Sequence, residues 1–144
     1  MTSEEFATVR LRPFFEEFQA RNAAGDIDAL ARMYAPTILV AGPNGTSAVP
    51  SAALAAAIRQ RKQRLASLGC PSATLASVSG MPLDRRYALA QTEWLFSLPP
   101  NGDPVTLPST FIIDGIDTPD PRIVLYMNHQ DLMALLRDRG IAVA

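Results

Sequence analysis

The chain's only histidine, His129, stands in the run YMNHQDL between Asn128 and Asp131. Histidine is the side chain whose ordinary pKa lies nearest neutrality, so His129 is a candidate acid or base, and Asp131 is the carboxylate nearest to it in sequence. A structural role competes with that chemistry. His129 ends an apolar run, where a hydrogen bond at a strand end suffices, and Asp131 opens a helical pattern, where a carboxylate favours the helix dipole. Strand parity separates the neighbours: adjacent residues point to opposite faces, so Asn128 and His129 share a cavity only if the strand breaks between them. Parity with Val124 and Tyr126 selects Asn128 for the interior.

The same alternation, applied to QTEWLF, places Thr92, Trp94 and Phe96 together on the bulkier face and Gln91, Glu93 and Leu95 on the other. Glu93 then reads as an outward carboxylate and Trp94 as core or cavity wall. In STFIID, Thr110 and Ile112 are expected inward. The expected ligand-contacting set is Phe18, Tyr34, Trp94, Thr110, Tyr126 and Asn128. The basic cluster Arg59, Arg61, Lys62 and Arg64 reads as a solvated helix face, although Arg61 falls on the apolar stripe. One histidine and the single Cys70 do not make a zinc or iron site, which needs several positioned N, S or O donors, so neither metal nor cofactor is expected. Glycine-rich phosphate loops are missing. SVSG lacks the glycine two residues before the serine that a nucleophile elbow requires.

With 144 residues, 48% of them hydrophobic, the chain suits a single domain over residues 1–144 with one sizeable core. Thirteen basic against fourteen acidic residues leave a net charge of −1, which gives nucleic acid or an anionic membrane no field to follow. A lone cysteine excludes an intrachain disulfide and fits a reducing compartment. The opening residues lack a signal-peptide pattern and no run approaches the ~20 apolar residues of a membrane span, so a cytoplasmic location is expected.

Helices and strands must position these groups. Thr2 with Glu5 forms a capping-box pattern, and helical spacing runs from about Glu4 to Gly25, with Pro13 expected to kink or divide it. Asp26 caps a second helix carrying Ile27, Leu30 and Tyr34. TILVAG (37–42) reads as a buried strand, PNG as a turn and the residues after it as a connection. Ser51 is expected to cap a third helix with Leu54, Ile58, Leu65 and Leu68 on one face, stopped by Gly69 and Pro71. Four strand patterns follow, SATLASVSGM, RYALAQTEWLFSL, VTLPSTFIID and RIVLYMNH, and then a short helix, DLMALLRDRG. The expected fold is α+β, its late strands forming one antiparallel sheet on the helices. Apolar residues on both strand faces, with Leu89, Leu95, Phe111 and Leu125 outward, predict a homodimer through the convex face.

Three segments in that order, NAAGDIDALARMYAPTILVAGPNG, ALAQTEWLFSLPPNGDP and STFIIDGIDTPDPRIVLYMNHQDL, resemble the nuclear transport factor 2-like superfamily, and within it the bacterial domains similar to ketosteroid isomerase and polyketide cyclase. The resemblance implies a cone-shaped curved antiparallel sheet wrapped around N-terminal helices, with a short C-terminal helix. The cone would open into an apolar pocket for a small apolar molecule, and dimerisation through the sheet is common among such domains. It also implies a carboxylate base and a phenolic donor for the developing oxyanion. The position matching the base is Gly42, and the position matching the donor is Phe18. Neither can perform that role, so the isomerisation mechanism is not expected here. Two readings stay open: a cofactor-independent isomerase, cyclase or hydratase, and a non-catalytic dimerisation or ligand-sensing module.

Overall fold

At the start of the chain Thr2 Oγ1 accepts a hydrogen bond from Glu5 N at 3.1 Å, and its hydroxyl donates to Glu5 Oε1 at 3.3 Å. This reciprocal cap starts α1 (Ser3–Phe6) in the computed structural model, which describes residues 1–70 and 72–141. Pro13 divides the helix as its chemistry predicts, because proline supplies no N–H and crowds the carbonyl four residues back. A π-helical turn, Ala7–Leu11, absorbs the break, with Arg12 N donating to Ala7 O, and α2 (Arg12–Ala24) continues with proline in its first turn. Gly25, at φ 73°, ends α2 in the left-handed region. Asp26 then accepts from Ala29 N at 3.1 Å to cap α3 (Ile27–Ala31).

Tyr34 was expected on that helix but begins β1 (Tyr34–Gly42). Pro43 and Asn44 form the two-residue turn to β2 (Gly45–Pro50), since Gly42 faces Gly45 in the register. The sequence pattern here predicts a connection, and the structure forms a strand instead. Its small, mostly exposed residues and terminal proline lack an apolar stripe, a composition suited to a sheet edge. In α4 (Ser51–Ser67) Pro50 takes the N-cap position without a capping side chain, so Ser51 is the first helical residue rather than the cap. Pro71, expected to help stop this helix, lies outside the described residues. The remaining strands are β3 (Thr74–Pro82), β4 (Tyr87–Leu98), β5 (Asp103–Asp114) and β6 (Arg122–Asn128), and α5 (Leu132–Asp138) follows.

The six strands form one sheet in the order β2-β1-β6-β5-β4-β3. The four late strands are an antiparallel meander as expected, but β1 joins β6 in parallel and makes the sheet mixed. A parallel neighbour is possible because most of the chain separates the two strands and no hairpin constrains their direction. The architecture is α+β, with an open sheet carrying helices on its inner face. Phe15 of α2 is fully buried and meets Phe111 at 4.9 Å between ring centroids. Gly80 permits close approach of β3 to β4 and to the π-helical turn: a Cβ there would fall 2.1 Å from Leu89 O and 2.7 Å from Leu11 Cδ1.

Candidate functional site

Along β4 the buried residues are Ala88, Ala90, Thr92, Trp94, Phe96 and Leu98, so the alternation read from the sequence holds over the whole strand. On β5 the reading was inverted. Leu107, Ser109, Phe111 and Ile113 are buried, while Thr110 and Ile112 point to the outer face. Cross-strand partners share a face, and Ser109 pairs with Thr92 while Thr110 pairs with Gln91. Thr110 therefore does not line the cavity, and Phe111, expected outward, is core. Between Ile113 paired with Ile123 and Ile112 paired with Leu125 the register shifts, leaving Val124 as the extra residue of a bulge. Beyond that bulge Tyr126 and Asn128 face inward, opposite Phe111 and Ser109.

Between the sheet, α2 and α4 lies a cavity of about 750 Å³. Phe18, Trp94 and Phe96 form its aromatic wall, and Phe18 lies 5.7 Å from Trp94 and 6.0 Å from Tyr34 between centroids. From α4 come Leu54, Ala57, Ile58, Arg61, Lys62, Leu65 and Ala66, spaced so that all seven fall on one helical face. Polar groups are few. Ser109 Oγ donates to Asn128 Oδ1 at 3.1 Å, which leaves the Asn128 amide nitrogen as that side chain's donor. Burial pushes the Tyr34 phenol far above its ordinary pKa; the nearby Tyr126 adds to the rise and Arg61 opposes it. Burial likewise raises the Cys70 thiol, again against Arg61. Both groups are therefore neutral at physiological pH.

No Asp or Glu lines the cavity among the described residues. The arrangement can enclose an apolar body and donate hydrogen bonds to an oxygen, but it offers no carboxylate to take a proton from carbon. His129 and Asp131 stand outside it. His129 Nε2 lies 2.6 Å from Thr110 Oγ1 on the outer side of the sheet. Asp131 caps α5, accepting from Met133 N at 3.0 Å and Ala134 N at 3.3 Å, and also accepts from Asn44 Nδ2 at 3.3 Å. Of the six residues expected to contact a ligand, Phe18, Tyr34, Trp94, Tyr126 and Asn128 line the cavity. The sequence reading missed Ser109, which parity on β5 concealed, and Arg61, whose place among Leu54, Ile58 and Leu65 was the available signal.

No protein-family model and no curated protein matches the chain. Solved structures do match it. An NTF2-like protein with a cystatin-like fold from Novosphingobium aromaticivorans superposes with a TM-score of 0.66 at 20% identity, covering 83% of this chain and 79% of that one. A candidate isomerase from Bacillus subtilis gives a TM-score of 0.59 at 15% identity over 99% of both chains. A candidate polyketide cyclase from Xanthomonas campestris pv. campestris gives 0.57 at 18% identity over 89% and 95%.

Proposed function

We propose that this chain, built on the NTF2-like, cystatin-like fold, binds a small and largely apolar molecule between its sheet and α4. The observation that carries this reading is the open-mouthed cavity of about 750 Å³ with an aromatic wall and a few convergent polar groups. That volume lies in the range of ~300–1,000 Å³ usual for small-molecule sites. Phe18, Tyr34, Trp94, Tyr126 and Asn128 are the proposed contacts. Binding is favoured over carbanion chemistry, because no carboxylate lines the cavity among the described residues and the positions that the resemblance matches to base and phenolic donor hold Gly42 and Phe18. Isomerase, cyclase or hydratase activity would need water or a residue at the cavity rim as the proton carrier.

Trp94 is the chain's single tryptophan and stands in the cavity wall, so its emission reports on occupancy. Titration with the uncharged fluorophore N-phenylnaphthylamine should quench Trp94 saturably and raise the probe's own emission. A probe that stays dark, with Trp94 unaffected, defeats the reading.

A second proposal concerns assembly. Leu39, Leu125, Ile112, Leu89 and Met81 are successive cross-strand partners and form an apolar row across five strands of the outer face. Leu39 is 39% and Met81 48% exposed. Pairing two copies through this face would remove the row from water.

A further inference from the structure

Arg61 breaks the apolar face that α4 turns to the cavity. Leu54, Ala57, Ile58 and Leu65 on either side of it are apolar, and the one other charged residue lining the cavity among the described residues is its neighbour Lys62. Its neighbours in the basic cluster are otherwise engaged. Arg59 pairs with Asp28 at 3.6 Å, and Lys62 Nζ donates to Asn22 O and to Ser72 Oγ, tying α4 to the end of α2 and to the approach to β3. Arg64 is exposed. The Arg61 side chain takes part in no ion pair or hydrogen bond among the described residues. It is half-buried, and it also lines the shallower cleft beside the β1–β2 turn, so it stands where cavity and cleft meet. Asp131 lines that cleft too, but its carboxylate is committed to the α5 cap and Asn44.

We infer that the cavity takes a monoanionic amphiphile, a carboxylate on an apolar body, with the carboxylate on Arg61 and the body against Phe18, Trp94 and Leu54. This deepens the binding proposal above and rests on it. A guanidinium presents a planar fork that matches a carboxylate through two parallel hydrogen bonds, and a half-buried pair gains more from this than an exposed one. Arg61 is the lining cation whose side chain has no partner, Lys62 being held by Asn22 O and Ser72 Oγ while adding to the positive field, and the lack of lining carboxylates removes the repulsion an anion would meet. The influence of Arg61 on both Tyr34 and Cys70 is consistent with its charge being felt deep in the cavity.

The experiment uses displacement of bound N-phenylnaphthylamine by two ligands of the same shape, naphthoate and its neutral amide naphthamide, at low ionic strength and near neutral pH. Naphthoate should displace the probe at about one-tenth the concentration naphthamide needs, as expected for a charge-assisted pair. Arg61→Gln should bring that ratio close to one, each ratio being taken against that protein's own affinity for the probe and with the melt still cooperative. A ratio near one in the native protein overturns the inference, as does a ratio that survives Arg61→Gln; either leaves the apolar-cavity reading intact. Failure of the probe to bind the native protein removes that reading, and this one with it. Should Arg61→Gln lose its cooperative melt, Arg61→Lys carries the comparison: charge without the fork should lower the ratio, and an unchanged ratio is the contrary result.

Discussion

Thr92 is 2% exposed, and its Oγ1 has no hydrogen-bond partner among the described residues. A buried hydroxyl without a partner forfeits its hydration and gains nothing in return, whereas valine fills nearly the same volume with no polar atom. Thr92→Val should therefore raise stability by about 1 kcal/mol in chemical denaturation, and a loss of stability would mean that the hydroxyl is satisfied in solution. The contrast lies one strand away, where Ser109, equally buried, is satisfied by Asn128. Residue types and parity made most of the cavity wall legible in the sequence, Phe18, Trp94, Tyr126 and Asn128 among them. Thr110 and Ser109 were exchanged because STFII is apolar on both faces, so only the register with β4 decides which residue turns inward. Arg61 was legible only as an exception, since a charged residue on an apolar stripe has no meaning until a cavity faces it.

At the scale of elements, helix starts were readable wherever a side chain caps them, as with Thr2, Asp26 and Asp131. Strand β2 was not readable, because an exposed edge carries no burial pattern. The β3–β4 turn supplies a test. Asp84 accepts hydrogen bonds from Tyr87 N and Arg86 N, at 2.7 and 2.8 Å, and these hold its carboxyl below the ordinary aspartate range. Asp114 on β5 is lowered mainly by its paired hydrogen bonds with Arg86, at 2.8 and 3.0 Å. A carboxylate whose folded pKa is depressed contributes stability above its unfolded value, and that contribution is lost as pH falls through the folded one. Acidification from the ordinary aspartate value of 3.8 downward should thus lower the melting temperature. The double variant Asp84→Asn, Asp114→Asn should melt lower near neutrality and show a shallower decline below that pH. Identical acid limbs for the two proteins would assign the loss to other groups.

For the molecule as a whole, the proposed pairing makes a direct prediction. Light scattering at micromolar concentration should give twice the monomer mass, and Leu125→Lys, which puts a charge in the middle of the outer row, should give the monomer with its melt still cooperative. A native protein that scatters as a monomer rejects the pairing. Outward apolar residues were visible in the sequence, but their alignment into one row was not, since it depends on four separate strand registers. The parallel joining of β1 to β6 has a kinetic consequence. Residues near position 40 cannot find their partner until the chain near position 126 exists, so the β1–β2 hairpin waits through the synthesis of α4 and three strands with one edge open. Closing so long a loop costs entropy before any contact repays it, which makes this pairing a late and slow event. Asn128, Tyr126 and Val40 meet only at that step, so the cavity comes into being last, and an interrupted or refolding chain exposes its aromatic wall and an unpaired strand edge until β6 arrives.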